Sequence, residues 1–369
     1  MSKILYIVLC CTLIASAYGQ ENTTSNGRFS GLMFGDFYYN VARDTAFAGT
    51  VPSKTALTGP KDLNGFQFRR IYFTYDYDIS EKFTTRFRLE ADQSALSGTK
   101  ILPVVKDAYI KWTKAVGTSD FIFGIQPTTA FDISESAWGY RSLEKTIMDL
   151  RGAIPSRDFG AALKGKVDDG GMWNYWVMVA NGDGNAPNSS KYYRYSANVQ
   201  VKPNKNLQVD LNGDFRTQAN VNDPTSTTTP NATIANNVLT GSVFVGYKED
   251  EWSLGVEAFN QSTANGYIDN STTPGSLTSL SALGVSVWGS FDLQSDVAVV
   301  ARYDYYDPNT NANAKGDVRN YIVGGVSWKL DKNVSIIPNI QVETFQAPAS
   351  GTAPSASVNA RMTFFYVFQ

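Results

Sequence analysis

From Phe29 to the C terminus, apolar and polar residues alternate with a period of two in segments of about ten residues bounded by turn-forming residues. Lys82 to Asp92 carries the pattern most clearly, with Phe83, Thr85, Phe87, Leu89 and Ala91 interleaved by Thr84, Arg86, Arg88, Glu90 and Asp92. Tyr192 to Lys202 and Asn206 to Arg216 repeat it. Successive side chains of a strand point to opposite faces, so each segment has one face suited to lipid and one suited to water. A soluble sandwich alternates too, and the connections separate the two cases. Short turns at Asp78–Glu81, Val116–Ser119, Asp168–Gly171, Pro203–Lys205, Lys248–Glu251, Asp292–Ser295 and Asp331–Asn333 alternate with longer stretches. The longer ones are Ala42–Asn64, Gln93–Pro103, Gln126–Arg157, Asn181–Ser190, Thr217–Ala235, Ser262–Gly275, Asp307–Gly316 and Gln346–Pro354. Counting between them gives an all-β, antiparallel transmembrane barrel of about sixteen strands, with turns at one rim and loops at the other. Tyr77, Phe83, Trp112, Phe121, Trp173, Tyr247, Trp252, Phe291 and Trp328 all fall on the lipid-facing side beside a short turn, which makes an aromatic girdle at one membrane interface.

One connection breaks the pattern. Gln126 to Arg157 is polar at its ends but holds Phe131, Ile133, Trp138, Tyr140, Leu143, Ile147, Met148 and Ile154, with a helix-like stretch from Ser134 to Asp149. A long, apolar-studded internal connection is usually functional. This third loop is expected to fold into the lumen and narrow it.

The N terminus adds a different element. Lys3, the apolar run Ile4–Ala15 and the small residues before Gln20 read as a secretory signal peptide over residues 1–19, leaving residues 20–369 as one barrel domain. Cys10 and Cys11 fall inside that signal, so the mature chain has no thiol for a disulfide or a thiolate metal site. Histidine is absent throughout. That removes imidazole general bases and histidine-ligated metal or haem, so neither an enzyme nor a cofactor is expected. The net charge of −2 comes without a basic cluster suited to nucleic acid.

The chemistry left is that of a constriction. On the loop the candidates are Asp132, Glu135, Arg141, Glu144 and Lys145; facing it from the wall are Arg70, Arg86, Arg88, Glu90, Lys111, Arg302 and Arg361. Opposed carboxylates and guanidiniums across a narrow gap set up a transverse field that favours small polar solutes. Counting by twos puts Arg69 on the outer face near an upper strand end, where it would snorkel to head groups or to the contact between subunits. Tyr109, Trp176, Tyr192, Tyr306 and Tyr321 are candidate inward aromatics of the kind that line a sugar pathway.

Phe121–Gln126, Phe131, Arg141–Lys145, Pro155–Gly160 and Leu163–Gly165 together resemble the third-loop region of the phosphate-selective porins of the O and P type. Gly65–Phe73, Asp107–Ile110 and Val179–Gly184 are similar to the same family's early strands and fourth loop, and the likeness after Gly184 is one of architecture. The resemblance implies a homotrimer of sixteen-stranded pores in the bacterial outer membrane, in contact with its lipid and lipopolysaccharide. Phosphate selectivity needs a one-sided ladder of Arg and Lys. Here inward Arg and Lys are matched by Asp76, Glu90, Asp92, Asp107, Asp210, Asp214, Glu257, Asp304 and Glu343. The expectation is therefore a general-diffusion pore for small hydrophilic solutes and ions, with a channel specific for phosphate, another anion or a sugar as the alternative.

Overall fold

The computed structural model describes residues 27–44, 57–93, 96–223, 225–226, 232–271 and 275–369; the expected signal peptide lies outside them. Sixteen strands form one closed sheet in which each neighbours the next in sequence. They are β1 (Gly27–Ala42), β2 (Asn64–Asp78), β3 (Phe83–Ala91), β4 (Val104–Val116), β5 (Ser119–Pro127), β6 (Arg157–Lys166), β7 (Trp173–Ala180) and β8 (Arg194–Val201). The second half is β9 (Leu207–Arg216), β10 (Val238–Lys248), β11 (Trp252–Asp269), β12 (Ser276–Gln294), β13 (Val297–Asp307), β14 (Arg319–Asp331), β15 (Val334–Phe345) and β16 (Ser357–Phe368). The ring closes where β16 pairs antiparallel with β1, from Phe368 opposite Gly31 to Val358 opposite Ala42. Closure leaves no sheet edge unpaired, which is what an apolar surrounding requires of a backbone.

The alternation in the sequence is the alternation of the wall. On β13, Ala298, Val300, Arg302 and Asp304 are buried while Val299, Ala301 and Tyr303 are exposed. Outward positions elsewhere are filled by exposed Leu211, Val243, Val256, Val287, Ile322 and Ile340. At the short-turn rim Phe83 lies opposite Trp112, Trp112 opposite Phe121 and Trp252 opposite Phe291. The Phe83 and Trp112 rings are 5.7 Å apart, so the girdle is built of cross-strand aromatic pairs.

The strands β11 and β12 run further than the turn-like composition of Ser262–Gly275 suggests. After a register shift between Thr263 and Tyr267 the ladder resumes, with Tyr267, Ile268 and Asp269 opposite Thr278, Leu277 and Ser276. Asn265, at φ 55°, accommodates the irregularity.

Two further bulges re-aim side chains. Phe34 pairs with Arg70 and Gly35 with Phe68, so Arg69 is an extra residue on β2. A Cβ on Gly35 would lie 2.6 Å from the Gln67 carbonyl oxygen, so this close approach requires glycine. On β4, Asp107 faces Arg88 and Val105 faces Leu89, which leaves Lys106 as the extra residue. Each bulge shifts the phase of the alternation by one residue.

The segment between β5 and β6 holds two short helices rather than one: α1 (Asp132–Trp138) and α2 (Ile147–Leu150). Gly139 makes the break. It sits in the left-handed region at φ 67° and its N–H donates to the Glu135 carbonyl, a helix C-cap that a glycine adopts without strain.

Candidate functional site

The buried face of the wall is not uniformly polar. On β10 to β15, Phe244, Phe259, Trp288, Val300, Val323 and Ile337 occupy buried positions. Against them pack Trp138 and Leu143 in one cluster, and Phe131, Ile147, Met148 and Ile154 in a second. The Trp138 and Trp288 rings are 5.4 Å apart. Leu57, from the first long connection, joins the first cluster. Removal of this much apolar surface from water fixes the segment to one side of the barrel.

Polar contacts fix its backbone. The Arg302 guanidinium donates to the Lys145 carbonyl, Gln341 donates to that of Leu143 at 3.4 Å, and Gln261 to that of Ala153. Arg151 pairs with Glu343 at 3.0 Å, Ser134 donates to Glu257 at 3.2 Å and Thr129 to Asn212 at 2.6 Å.

On the opposite side, facing β1 to β4, the segment lines two cavities. The one nearer the long connections, of about 500 Å³, has Arg69, Arg70, Arg141, Lys145 and Arg361 around it, against Asp92 and Glu144. The second, of about 350 Å³, has Arg88, Lys106, Arg141 and Arg157, against Asp132 and Glu135. Arg141 lines both. Its Nη1 donates to Glu135 and to Asp149, each at 2.9 Å. Cations outnumber carboxylates five to two in one lining and four to two in the other.

The wall completes the array. Arg70 pairs with Glu90 at 2.8 Å, and Glu90 also with Lys106 at 2.9 Å. Arg88 and Arg157 share the buried Asp107. The two acids held by Arg141 differ. Burial raises the Glu135 carboxyl above its ordinary value despite Arg141. Burial also acts to raise Asp149, but Arg141 and Lys145 outweigh it and hold that carboxyl below the ordinary range.

Of the residues expected from the sequence, Arg70, Arg88, Asp132, Glu135, Arg141, Glu144, Lys145 and Arg361 line these two cavities, and Glu90 pairs with Arg70 and Lys106 of their linings. Three do not. Arg86 pairs with Asp76 at 2.7 Å, toward the short-turn rim. Lys111 reaches Asp120 at 3.7 Å beside the turn at residues 117–118. Arg302 is buried with Asp304, its guanidinium 5.5 Å from the Trp138 ring, and acts as an anchor for the segment.

Arg69 is a correction. It does not face outward: the β2 bulge turns it inward, where it pairs with Asp36 and donates to the Ser142 and Leu143 carbonyls. Tyr306 and Tyr321 face inward but are covered, at 1% and 0% exposure, and Trp176 is buried with the Lys164 ammonium 4.1 Å from its ring, so these three line neither cavity. Lys106 went unnoticed because its bulge hides it from counting by twos. The buried apolar wall has a visible signal: Val243–Val245, Val299–Val300, Ile322–Val323 and Ile336–Ile337 are runs in which alternation lapses.

No family model matches the chain, and no curated protein does. Solved structures do. The outer membrane channel DcaP of Acinetobacter baumannii aligns with a TM-score of 0.65 at 11% identity, over 95% of this chain and 99% of that one. An anion-selective porin from Comamonas acidovorans gives 0.64 at 11%, over 93% and 100%. OmpT of Vibrio cholerae gives 0.62 at 14%, over 95% and 99%, and has also been solved in a trimer form. At these identities the likeness is one of fold.

Proposed function

We propose that this protein is an outer-membrane porin, a water-filled channel through which small hydrophilic solutes and ions diffuse passively, narrowed by the segment between β5 and β6. The observation that carries this reading is the pair of charge-lined cavities on either side of Arg141, bounded by β1 to β4 on one side and by the segment on the other. The apolar clusters close part of the lumen against β10 to β15, and the charges lining the two cavities along β1 to β4 act at short range. The outward apolar band, the aromatic girdle and the similarity of fold to outer-membrane channels support the location.

A second reading, a preference for anions, is favoured by the excess of Arg and Lys in both linings. Most of these cations are already paired, which leaves a bias rather than a binding ladder. Homotrimeric assembly is supported by the trimer form of the similarly folded OmpT of Vibrio cholerae.

Planar-bilayer recording of the refolded protein under a KCl gradient, with and without phosphate, tests the reading. Steady conductance steps with a mild anion preference and no phosphate block are expected. Absence of steps would reject the channel, and block by dilute phosphate would reject general diffusion in favour of a specific anion site.

A further inference from the structure

We propose that Arg69 is a positioning residue that sets the width of the passage, holding the backbone from which Arg141 projects; this rests on the channel reading above. The β2 bulge makes Arg69 a supernumerary residue, so two consecutive arginines both face the lumen. They divide the work. Arg70 pairs with wall carboxylates of its own neighbourhood, Glu90 and Asp92. Arg69 instead grips Asp36 through both carboxylate oxygens and turns its remaining donors to the carbonyls of Ser142 and Leu143.

Asp36 is a rigid base for that grip. Its side chain is fully buried, and it also accepts from Gln67 at 2.8 Å and from Thr363 at 2.5 Å, which ties it to β2 and to β16 at the closure of the barrel. The guanidinium carbon lies 5.0 Å from the Phe34 ring, which supports it from one face. A planar fork is the group that satisfies a carboxylate and two carbonyls together; an ammonium offers neither the reach nor the geometry.

The position of this contact is what gives it consequence. From the far side, the turn after α1 is held by Arg302 and Gln341 and by the buried Trp138. From the passage side, Arg69 meets it at the two residues that follow Arg141. The second bulge repeats the device: the extra Lys106 donates to Ser156 at 3.1 Å, at the other end of the same segment. Both bulges insert an inward cation, and both cations touch the segment across the gap through which solutes pass. They act as spacers that stop the segment from relaxing toward or away from β2 and β4.

Two roles for Arg69 make different forecasts. A lining charge alone is preserved in Arg69→Lys; a positioning fork is not. In single-channel recording of the refolded full-length protein, Arg69→Lys and Arg69→Met are both expected to raise open-channel noise and change conductance, with Arg69→Met also lowering anion preference. A nitroxide at Lys145→Cys, whose side chain is 38% exposed, reads the same role without conduction, and its spectrum is expected to gain a mobile component when Arg69→Lys is added. Wild-type conductance, noise and label spectrum in Arg69→Lys would overturn the inference while leaving the channel intact. A wild-type protein that forms no channel would instead overturn the porin reading, and with it any role for Arg69 in setting a passage.

Discussion

Glu135 and Asp149 share one guanidinium, yet their acidities are pushed apart, and this has a measurable sign. Burial raises Glu135, so on acidification it takes up its proton before an ordinary carboxyl does, whereas Asp149, held down by Arg141 and Lys145, stays ionised. The passage therefore loses one negative charge early. Reversal potentials measured across a KCl gradient should move toward greater anion preference as pH falls, in a step that begins above the ordinary carboxyl range, and Glu135→Gln should abolish that step. Arg88 and Arg86 should likewise separate. Arg88 lines the passage, and Arg88→Ser should shift the reversal potential toward cations; Arg86 pairs with Asp76 away from it, and Arg86→Ser should leave the potential near the wild-type value. Sequence alone treats these two as equivalent, since both alternate inward from the same strand. It also places Arg69 outside, because a bulge is a one-residue phase error that no composition announces. Pairing across strands, which decides whether an inward cation is a lining charge or a strut, is a tertiary fact.

At the level of elements, the segment between β5 and β6 packs as a small hydrophobic core against buried side chains of β10 to β15. The apolar residues that announced it in the sequence, Trp138, Leu143, Ile147 and Met148, are all buried. Their partners on the wall were announced only by lapses of the alternation, such as Val243–Val245, because an inward position on a barrel wall is expected to be polar. The segment's helix was legible as helix but not as two; the glycine at position 139 was the available signal. Trp138→Ala removes a ring that is 2% exposed and should cost about 3–5 kcal/mol of local packing. The barrel, held by its closed ladder, should survive that loss. Noisier openings and a larger mean conductance are the expected result in bilayer recording, and unchanged traces would mean that the polar anchors alone fix the segment. Excision of residues 134–149 should enlarge the solute size limit, measured by liposome swelling with sugars of increasing mass.

At the scale of the whole molecule, strand number, connection order and the girdle were all legible because each depends on a local rule repeated around the ring. The outward surface carries a subtler asymmetry. Phe37, Phe66, Phe73, Phe87, Phe123 and Phe159 are exposed on β1 to β6, with the Phe123 and Phe159 rings 5.6 Å apart. Across β9 to β15 most exposed positions at mid-height are aliphatic, among them Leu211, Val243, Val256, Val287 and Ile322, with Tyr303 an aromatic exception. Lipid chains solvate leucine as well as another protein does, so apolarity alone gives subunits no reason to meet; close packing of rigid shapes does. Flat aromatic rings that pair across strands supply such a shape, and the β1 to β6 sector is therefore where copies should associate. Phe123→Leu with Phe159→Leu keeps the surface compatible with lipid and changes only its shape. If the chain assembles as the homotrimer proposed above, mass measurement in detergent should show this double variant losing trimer to monomer while single-channel steps persist. Phe215→Leu on β9, equally exposed to lipid but outside the sector, should leave the assembly intact. If both variants remain trimeric, the subunits meet through another part of the wall or through the long connections above it.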